Sequence, residues 1–127
     1  MRKLWRPIFA LTFVALLAAS VSIASIAARA ANVYDGIWSV TIFTQVGDCP
    51  SALRYSVRVI GGRVLADDQS YQVSGVVAPN GATRVMVAEG GRSASGAGRL
   101  LGNQGQGRWR TDAGECAGQW TAVRRNF

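Results

Sequence analysis

Two Gly-x-Trp steps constrain the fold of this chain more than any other feature. Gly36-x-Trp38 begins the first strand-like run after an apolar N-terminal segment, and Gly118-x-Trp120 begins the last one. Both runs alternate apolar and polar residues, which is the pattern of a strand with one buried face. A closed antiparallel sheet makes the first and last strands neighbours. The paired steps therefore predict a small β-barrel.

The pattern between these steps is that of a meander of short strands. Past Tyr34 the apolar residues recur with period two, and turns with Gly or Asn recur at about the eight- to twelve-residue spacing of all-β domains. We predict an all-β fold with eight strands in an antiparallel up-and-down barrel, because consecutive hairpins leave no room for helical crossovers. An open two-sheet sandwich is the alternative. Ala94, Gly96 and Gly98 share one face, where we expect them to pack against large aromatic rings.

The N-terminal segment has the pattern of a signal peptide. Basic residues occur within the first six positions, an almost uncharged apolar run covers 7–28, and Ala28-x-Ala30 supplies the small residues that a signal peptidase reads. We predict a signal peptide at 1–30, cleaved after Ala30, and a single barrel domain at 31–127. An uncleaved membrane anchor is the alternative, since roughly 20 apolar residues can span a bilayer.

Removal of that segment reduces the net charge. The whole chain has 14 basic and 7 acidic residues, a net charge of +7. Ten basic residues, all arginine, remain after cleavage opposite the seven acids, which gives +3. This bias is too mild to indicate a nucleic-acid partner. We expect a monomer whose only contact with a membrane is through the signal peptide.

The two cysteines, Cys49 and Cys116, both fall in the exported part of the chain. An even pair in an oxidising compartment predicts one disulfide, which would stabilise a thin core by roughly 2–4 kcal/mol. The alternative, a catalytic thiol, lacks a histidine to activate it. We therefore expect a periplasmic or secreted protein.

Residues suited to catalysis are scarce. The chain contains no histidine, which excludes Ser-His-Asp and Cys-His arrangements and histidine metal sites. The seven carboxylates fall mostly in predicted turns, and the adjacent Asp67 and Asp68 would point to opposite sides of an extended chain. We predict a protein that is not an enzyme and that uses no metal and no cofactor.

The ends of the chain resemble the calycin superfamily, which includes lipocalins, avidins and fatty-acid-binding proteins. The resemblance rests on Gly36-x-Trp38 in the first strand and a basic residue in the last. In that superfamily the tryptophan closes one barrel end, and an arginine or lysine packs across its ring. Arg124 has the strand parity of Trp120 and would point inward with it, so the resemblance implies a cation–π contact between Arg124 and Trp38.

A second resemblance covers nearly the whole exported part. The matching positions are Tyr34-Asp35-Gly36-x-Trp38, Cys49, Arg54-Tyr55, Gly107-x-Trp109 and Cys116-x-Gly118-x-Trp120-x-Ala122-x-Arg124-Arg125. In these positions the chain looks like small exported proteins of Gram-negative bacteria that have no established function. This resemblance implies a place in the Gram-negative envelope or outside it.

These observations favour a binding protein with its site in the barrel mouth. We predict a small apolar or aromatic ligand, held in a pocket whose formation depends on how far the aromatic rings fill the interior. Gly36, Trp38, Arg124, Cys49 and Cys116 would be structural. The residues predicted to line the pocket are Trp38, Tyr55, Trp109 and Trp120.

The alternative is an envelope or secreted interaction module with a solid core. Its loops, or a face rich in arginine, would contact an anionic or protein partner. If the sixth and seventh strands form a hairpin, Arg99, Arg108 and Arg110 lie on one outer face, where three guanidinium groups could bind phosphate or carboxylate groups. A solubilising outer face also explains these arginines.

Overall fold

The structure is a computed structural model that describes residues 33–126. The predicted signal peptide of residues 1–30, with its cleavage after Ala30, lies outside the described residues. Eight strands follow one another: β1 (Gly36–Val46), β2 (Ala52–Ile60), β3 (Arg63–Ala66), β4 (Gln72–Val77), β5 (Ala82–Glu89), β6 (Arg92–Leu101), β7 (Gln104–Thr111) and β8 (Ala117–Asn126).

Each strand pairs antiparallel with the next, and β8 pairs with β1, so the sheet closes into a barrel. The predicted all-β barrel with eight strands is therefore confirmed. The closing pair places Trp38 opposite Arg124 and Ile42 opposite Trp120, with irregular register at both ends of the pairing. Closure satisfies the backbone groups that an open sheet would leave at its edges.

The core is the inside of the barrel. Inward positions alternate with outward ones, so that Val57 and Val59 are buried while Arg58 and Ile60 between and beside them are exposed. Trp38 is the most deeply buried large side chain, at 1 % exposure. The buried apolar residues form one cluster of Tyr34, Trp38, Val57, Val59, Val64, Val73, Val77, Leu100, Trp109, Cys116, Trp120 and Ala122.

The glycine-rich strands β6 and β7 make room for the ring of Trp120. Gly98 pairs directly with Gly107. A Cβ at Gly107 would lie 2.5 Å from both Cε2 and Nε1 of Trp120, and one at Gly98 would lie 2.6 Å from Cζ2. Such distances are far below van der Waals contact. A residue with a Cβ at either position would therefore overlap with the indole. The expected packing of small residues against a large ring is present.

The two ends of the barrel differ. One end carries Tyr34 and Asp35, the turns at 61–62, 78–81 and 102–103, and Arg124. The other carries the four connections at 47–51, 67–71, 90–91 and 112–116. We refer to the first as the closed end and to the second as the mouth. Between residues 33 and 126, no helix is long and apolar enough to cross a membrane.

Candidate functional site

The closed end is held by the guanidinium group of Arg124. Its carbon atom lies 5.1 Å from the centroid of the Trp38 ring, within the range of a cation–π contact. The same group donates hydrogen bonds to the Asn103 side chain at 3.0 Å and to three carbonyl oxygens, those of Val33, Asp35 and Gly102. Arg124 therefore joins the segment before β1, the β6–β7 turn and the floor of the barrel.

The Tyr34-Asp35 step completes this end. The carboxylate of Asp35 accepts hydrogen bonds from the backbone N–H of Gly61, at 2.9 Å, and from that of Gly62, and so caps the β2–β3 turn. The carbonyl oxygen of Tyr34 accepts the indole N–H of Trp38 at 2.9 Å. The motif at the start of the first strand is thus explained by closure of the barrel floor, and ligand access from this side is blocked.

The interior above Trp38 retains a small apolar cavity of about 80 Å³. All eight strands contribute to its wall, β3 and β7 with one residue each, and valine is the most frequent side chain. Trp120 narrows it from one side, because its buried ring lies against the glycines of β6 and β7. The aromatic side chains therefore fill most of the interior without filling all of it.

The mouth widens into a vestibule of about 800 Å³. Its residues come from the strand ends at the mouth and from three of the four connections, those at 47–51, 67–71 and 90–91. The charged side chains among them are Arg54, Asp67, Asp68, Glu89 and Arg92. Five residues line both the vestibule and the interior cavity, so the two lie next to each other. The residues common to both are Ile42, Tyr55, Val87, Ala94 and Trp109.

Tyr55 lies at the boundary between cavity and vestibule. Its hydroxyl donates a hydrogen bond to the Glu89 carboxylate at 2.9 Å, and its ring meets that of Tyr71 edge to face with centroids 5.0 Å apart. Tyr71 in turn donates to the carbonyl of Ser56. Burial, followed by the hydrogen bond and the charge of Glu89, raises the pKa of Tyr55 to about 12. The phenol is therefore neutral at ordinary pH and able to donate.

Trp109 forms the opposite part of this boundary. Its indole N–H donates to the carbonyl oxygen of Phe43 at 2.9 Å, next to the register shift between β1 and β8. The ring reaches that carbonyl by passing over Gly118, which is the residue of β8 that pairs with Trp109. A Cβ at Gly118 would lie 1.8 Å from the same oxygen. The glycine of the second Gly-x-Trp step is thus required by the approach of β1, and it fixes Trp109 at the mouth.

The disulfide lies at the rim of the mouth. Cys49 and Cys116 are bonded, as predicted, with 6.2 Å between their Cα atoms, and Cys49 lines the vestibule. The bond joins the β1–β2 connection to the β7–β8 connection. Thr111 fixes the second of these, since its hydroxyl exchanges hydrogen bonds with the backbone of Cys116. A disulfide is compatible with an oxidising, exported compartment.

The four residues predicted to line the pocket occupy different depths of the barrel. Trp38 forms the floor, Trp120 the wall, and Tyr55 and Trp109 the boundary with the vestibule; all four line the interior cavity. The sequence-based site omits Tyr71 and the charged rim residues Arg54, Glu89 and Arg92. Period-two alternation indicates which face a side chain occupies, but it does not show which connections meet at one rim.

The carboxylates serve local structure. Asp67 accepts hydrogen bonds from Arg58 and Ser56, both at 3.0 Å, and these bonds lower its pKa. Asp112 accepts from the hydroxyls of Ser93 and Ser95, which lower its pKa as well. Over residues 33–126, no three Cys, Asp or Glu side chains come together as a set of metal ligands.

The arginines predicted to share an outer face all point outward and are exposed. The register of β6 with β7 places Arg99 opposite Gln106, Arg108 opposite Ala97 and Arg110 opposite Ser95. Asp112 lies two residues beyond Arg110, close enough for Arg110 to contribute to the low pKa of that carboxyl group.

No family model, curated protein or solved structure matches this chain. The resemblances to calycins and to small exported proteins of Gram-negative bacteria therefore stay predictions, and the geometry of the barrel is the basis for assigning a function.

Proposed function

We propose that this protein is an exported, non-enzymatic barrel that binds a small amphiphilic ligand at its mouth. The apolar end of the ligand enters the interior, and its polar group stays in the vestibule. One observation carries the proposal: the apolar cavity above Trp38 adjoins a wide vestibule with charged side chains at its rim, and five residues line both. Pockets of this kind, apolar with few polar groups at one side, are typical of small-molecule sites.

The size of the interior restricts the part of the ligand that enters it. A cavity of about 80 Å³ is smaller than the roughly 150 Å³ apolar cavity that accommodates benzene in an engineered protein. A short alkyl chain fits this space better than an aromatic ring does. An aromatic ligand would stay higher, between the rings of Tyr55 and Trp109.

The charged groups of the rim supply the polar contacts. Glu89 is engaged by the hydroxyl of Tyr55. Arg54 and Arg92 are exposed in the same vestibule, and in the described part of the chain neither side chain has a hydrogen bond or an ion pair. The three acids of the vestibule are each held by a neighbour: Asp67 by Arg58, Asp68 by the backbone N–H of Ser70 and Glu89 by Tyr55. The two arginines without partners are therefore the groups left to contact a ligand, and we expect its polar group to be anionic, for example a carboxylate on a short alkyl chain.

Catalysis is not part of this proposal, because the sequence contains no histidine that could act as a general base near neutral pH or activate a nucleophile. Export is supported by the disulfide, which is compatible with an oxidising compartment. A carrier or a sensor of small molecules in the envelope, or outside the cell, agrees with both features.

The test is a titration with hexanoate, hexanol and hexylamine, read by tryptophan fluorescence and by melting temperature. Trp109 and Trp120 line the site, and a ligand that binds only the folded state raises the melting temperature. We expect hexanoate to bind most tightly. If none of the three probes changes either signal, the proposal is wrong.

A pair of variants locates the binding site. Ala94→Leu adds three carbon atoms to the shared boundary and should abolish binding of hexanoate. Ala88→Leu makes the same change at an exposed position near the same rim and should leave binding unchanged. Equal affinity in both variants would contradict an interior site. Native mass spectrometry of protein purified from its host would then show whether any bound small molecule is lost on denaturation.

A further inference from the structure

Three arginines surround one alanine on the outside of the barrel. Ala97, an outward residue of β6, pairs with Arg84 of β5 on one side and with Arg108 of β7 on the other. Arg99 lies two residues along β6 and points to the same side. Three of the four nearest outward neighbours of Ala97 are therefore arginines, and Ser95 is the fourth. We call Arg84, Arg99 and Arg108 the arginine triad.

The triad is free of internal partners. In residues 33–126, no hydrogen bond or ion pair engages any of its three side chains. Asp112, on the same face, accepts hydrogen bonds from Ser93 and Ser95, and Arg110 contributes to its low pKa. The three guanidinium groups around the short side chain of Ala97 are therefore available to an external anion.

The spacing suits a phosphate-sized group. Arg84 and Arg108 belong to strands separated by one other strand, so their backbones are roughly 10 Å apart. Long side chains on both sides of a short one can converge on a single group, and guanidinium donors bind phosphate oxygens in a bidentate manner. The small residues of β6 leave a shallow depression of about 850 Å³ on this face, which Arg84, Arg108 and Arg110 line.

Apolar side chains lie beside the triad. Val76 pairs directly with Arg84, and Met86 is two residues further along β5; they are 57 % and 55 % exposed, and both line the depression. Surfaces that bind membranes combine cationic side chains, which contact anionic head groups, with apolar side chains that enter the boundary of the acyl chains. A soluble anion would use the arginines alone.

We propose that this outer face docks on an anionic lipid surface, with lipid phosphate groups bound by Arg84, Arg99 and Arg108 and with Val76 and Met86 in contact with the lipid. This assignment differs from the expectation that the exported chain has no membrane contact. It is independent of the ligand proposed for the mouth, because the triad lies on the outer face of the sheet. A barrel docked in this way would present its side to the membrane and leave the mouth accessible.

The experiment measures co-sedimentation with vesicles, using protein purified after export by its host so that natural processing is preserved. Vesicles of phosphatidylglycerol mixed with phosphatidylcholine are compared with vesicles of phosphatidylcholine alone. We expect binding to the first at low salt only, since the Debye length falls from about 30 Å at 0.01 M to about 3 Å at 1 M. The double variant R84Q/R108Q should bind about 25-fold more weakly, because each arginine near such a surface contributes about fivefold.

A charge-matched control separates the triad from net charge. R125Q removes one exposed arginine elsewhere and should weaken binding much less than R84Q alone does. Ala97→Glu places a carboxylate within the triad and should weaken binding as R84Q/R108Q does, while Met86→Ser should weaken it with little change in its salt dependence. Melting temperatures establish that each variant is folded.

Two results would overturn the assignment. Equal loss of binding in R84Q and R125Q would show that diffuse charge is responsible. Binding of inorganic phosphate or of soluble polyphosphate that depends on the triad, without binding to vesicles, would show that the site accepts anions from solution and not a lipid surface.

Discussion

An alanine at Gly107 tests the packing that shapes the interior. Its Cβ would lie 2.2 Å from the carbonyl oxygen of Ala97 and 2.5 Å from the ring of Trp120. Neither obstacle is the end of a flexible side chain. The β6–β7 pair would have to separate, or the indole would have to move into the cavity.

The free-energy change can be worked out against a matched glycine. Overpacking of this kind costs about 1–3 kcal/mol. A Cβ at Gly96, which also faces Trp120, would lie 3.4 Å from Nε1 and 3.5 Å from the nearest backbone oxygen, which is ordinary contact. Gly96→Ala should therefore stabilise the protein by about 0.4–1 kcal/mol, because alanine lowers the conformational entropy of the unfolded chain.

The assay is denaturant unfolding of both variants with the disulfide intact, monitored by tryptophan fluorescence, together with melting temperatures. We expect Gly107→Ala to be less stable than Gly96→Ala by about 1–4 kcal/mol, and each kcal/mol corresponds to about 4–8 °C in a domain of this size. Equal stability of the two variants would refute the reasoning, since it would mean that Trp120 does not occupy the space next to Gly107.

Two further predictions concern the ends of the barrel. Arg124→Met should lower the free energy of unfolding by about 3 kcal/mol or more, because several hydrogen bonds and the contact with Trp38 are lost together. Arg124→Lys should recover only part of this loss, because an ammonium group does not have the planar set of donors that a guanidinium group has. At the mouth, the pKa of Tyr55 is raised from 10.0 to about 12, so its contribution to stability is fully present below pH 10 and is lost as pH rises toward 12. Tyr55→Phe should remove this dependence of stability on pH. Glu89→Gln should lower the pKa of Tyr55.

The measurements are unfolding free energies for the Arg124 variants and ultraviolet absorbance titration for Tyr55. If Arg124→Lys is as stable as the original protein, the geometry of the guanidinium group is unimportant. The difference between the titration curves of the original protein and Tyr55→Phe isolates the phenol of interest. A midpoint near 10 in that difference would contradict the proposed burial and hydrogen bond.

The parts of the fold that sequence reasoning anticipates are those that depend on alternation and on the ends of the chain. Period two separates inward from outward residues, so the eight strands and the inward direction of Arg124 follow from local pattern. The disulfide follows from an even pair of cysteines. In each case the information lies within one strand or in a count of residues.

The candidate site depends on information of another kind. Tyr55 and Glu89 are 34 residues apart in sequence and meet because β2 and β5 end at the same rim. Arg84 joins Arg99 and Arg108 because the register of β5 with β6 sets it opposite Ala97. A shift of one residue would turn Arg84 inward, and alternation alone does not fix that register.

By itself, the sequence determined an all-β fold of eight strands with tryptophans inside and most arginines outside, and the structure decided for a closed barrel over an open sandwich. Only the tertiary structure decided how much of the interior remains empty. That volume is the difference between the space enclosed by eight strands and the side chains pointing into it, and it depends on where the ring of Trp120 lies. Because Gly98 and Gly107 let the indole lie against the wall, a narrow apolar cavity remains above Trp38, next to the vestibule at the mouth.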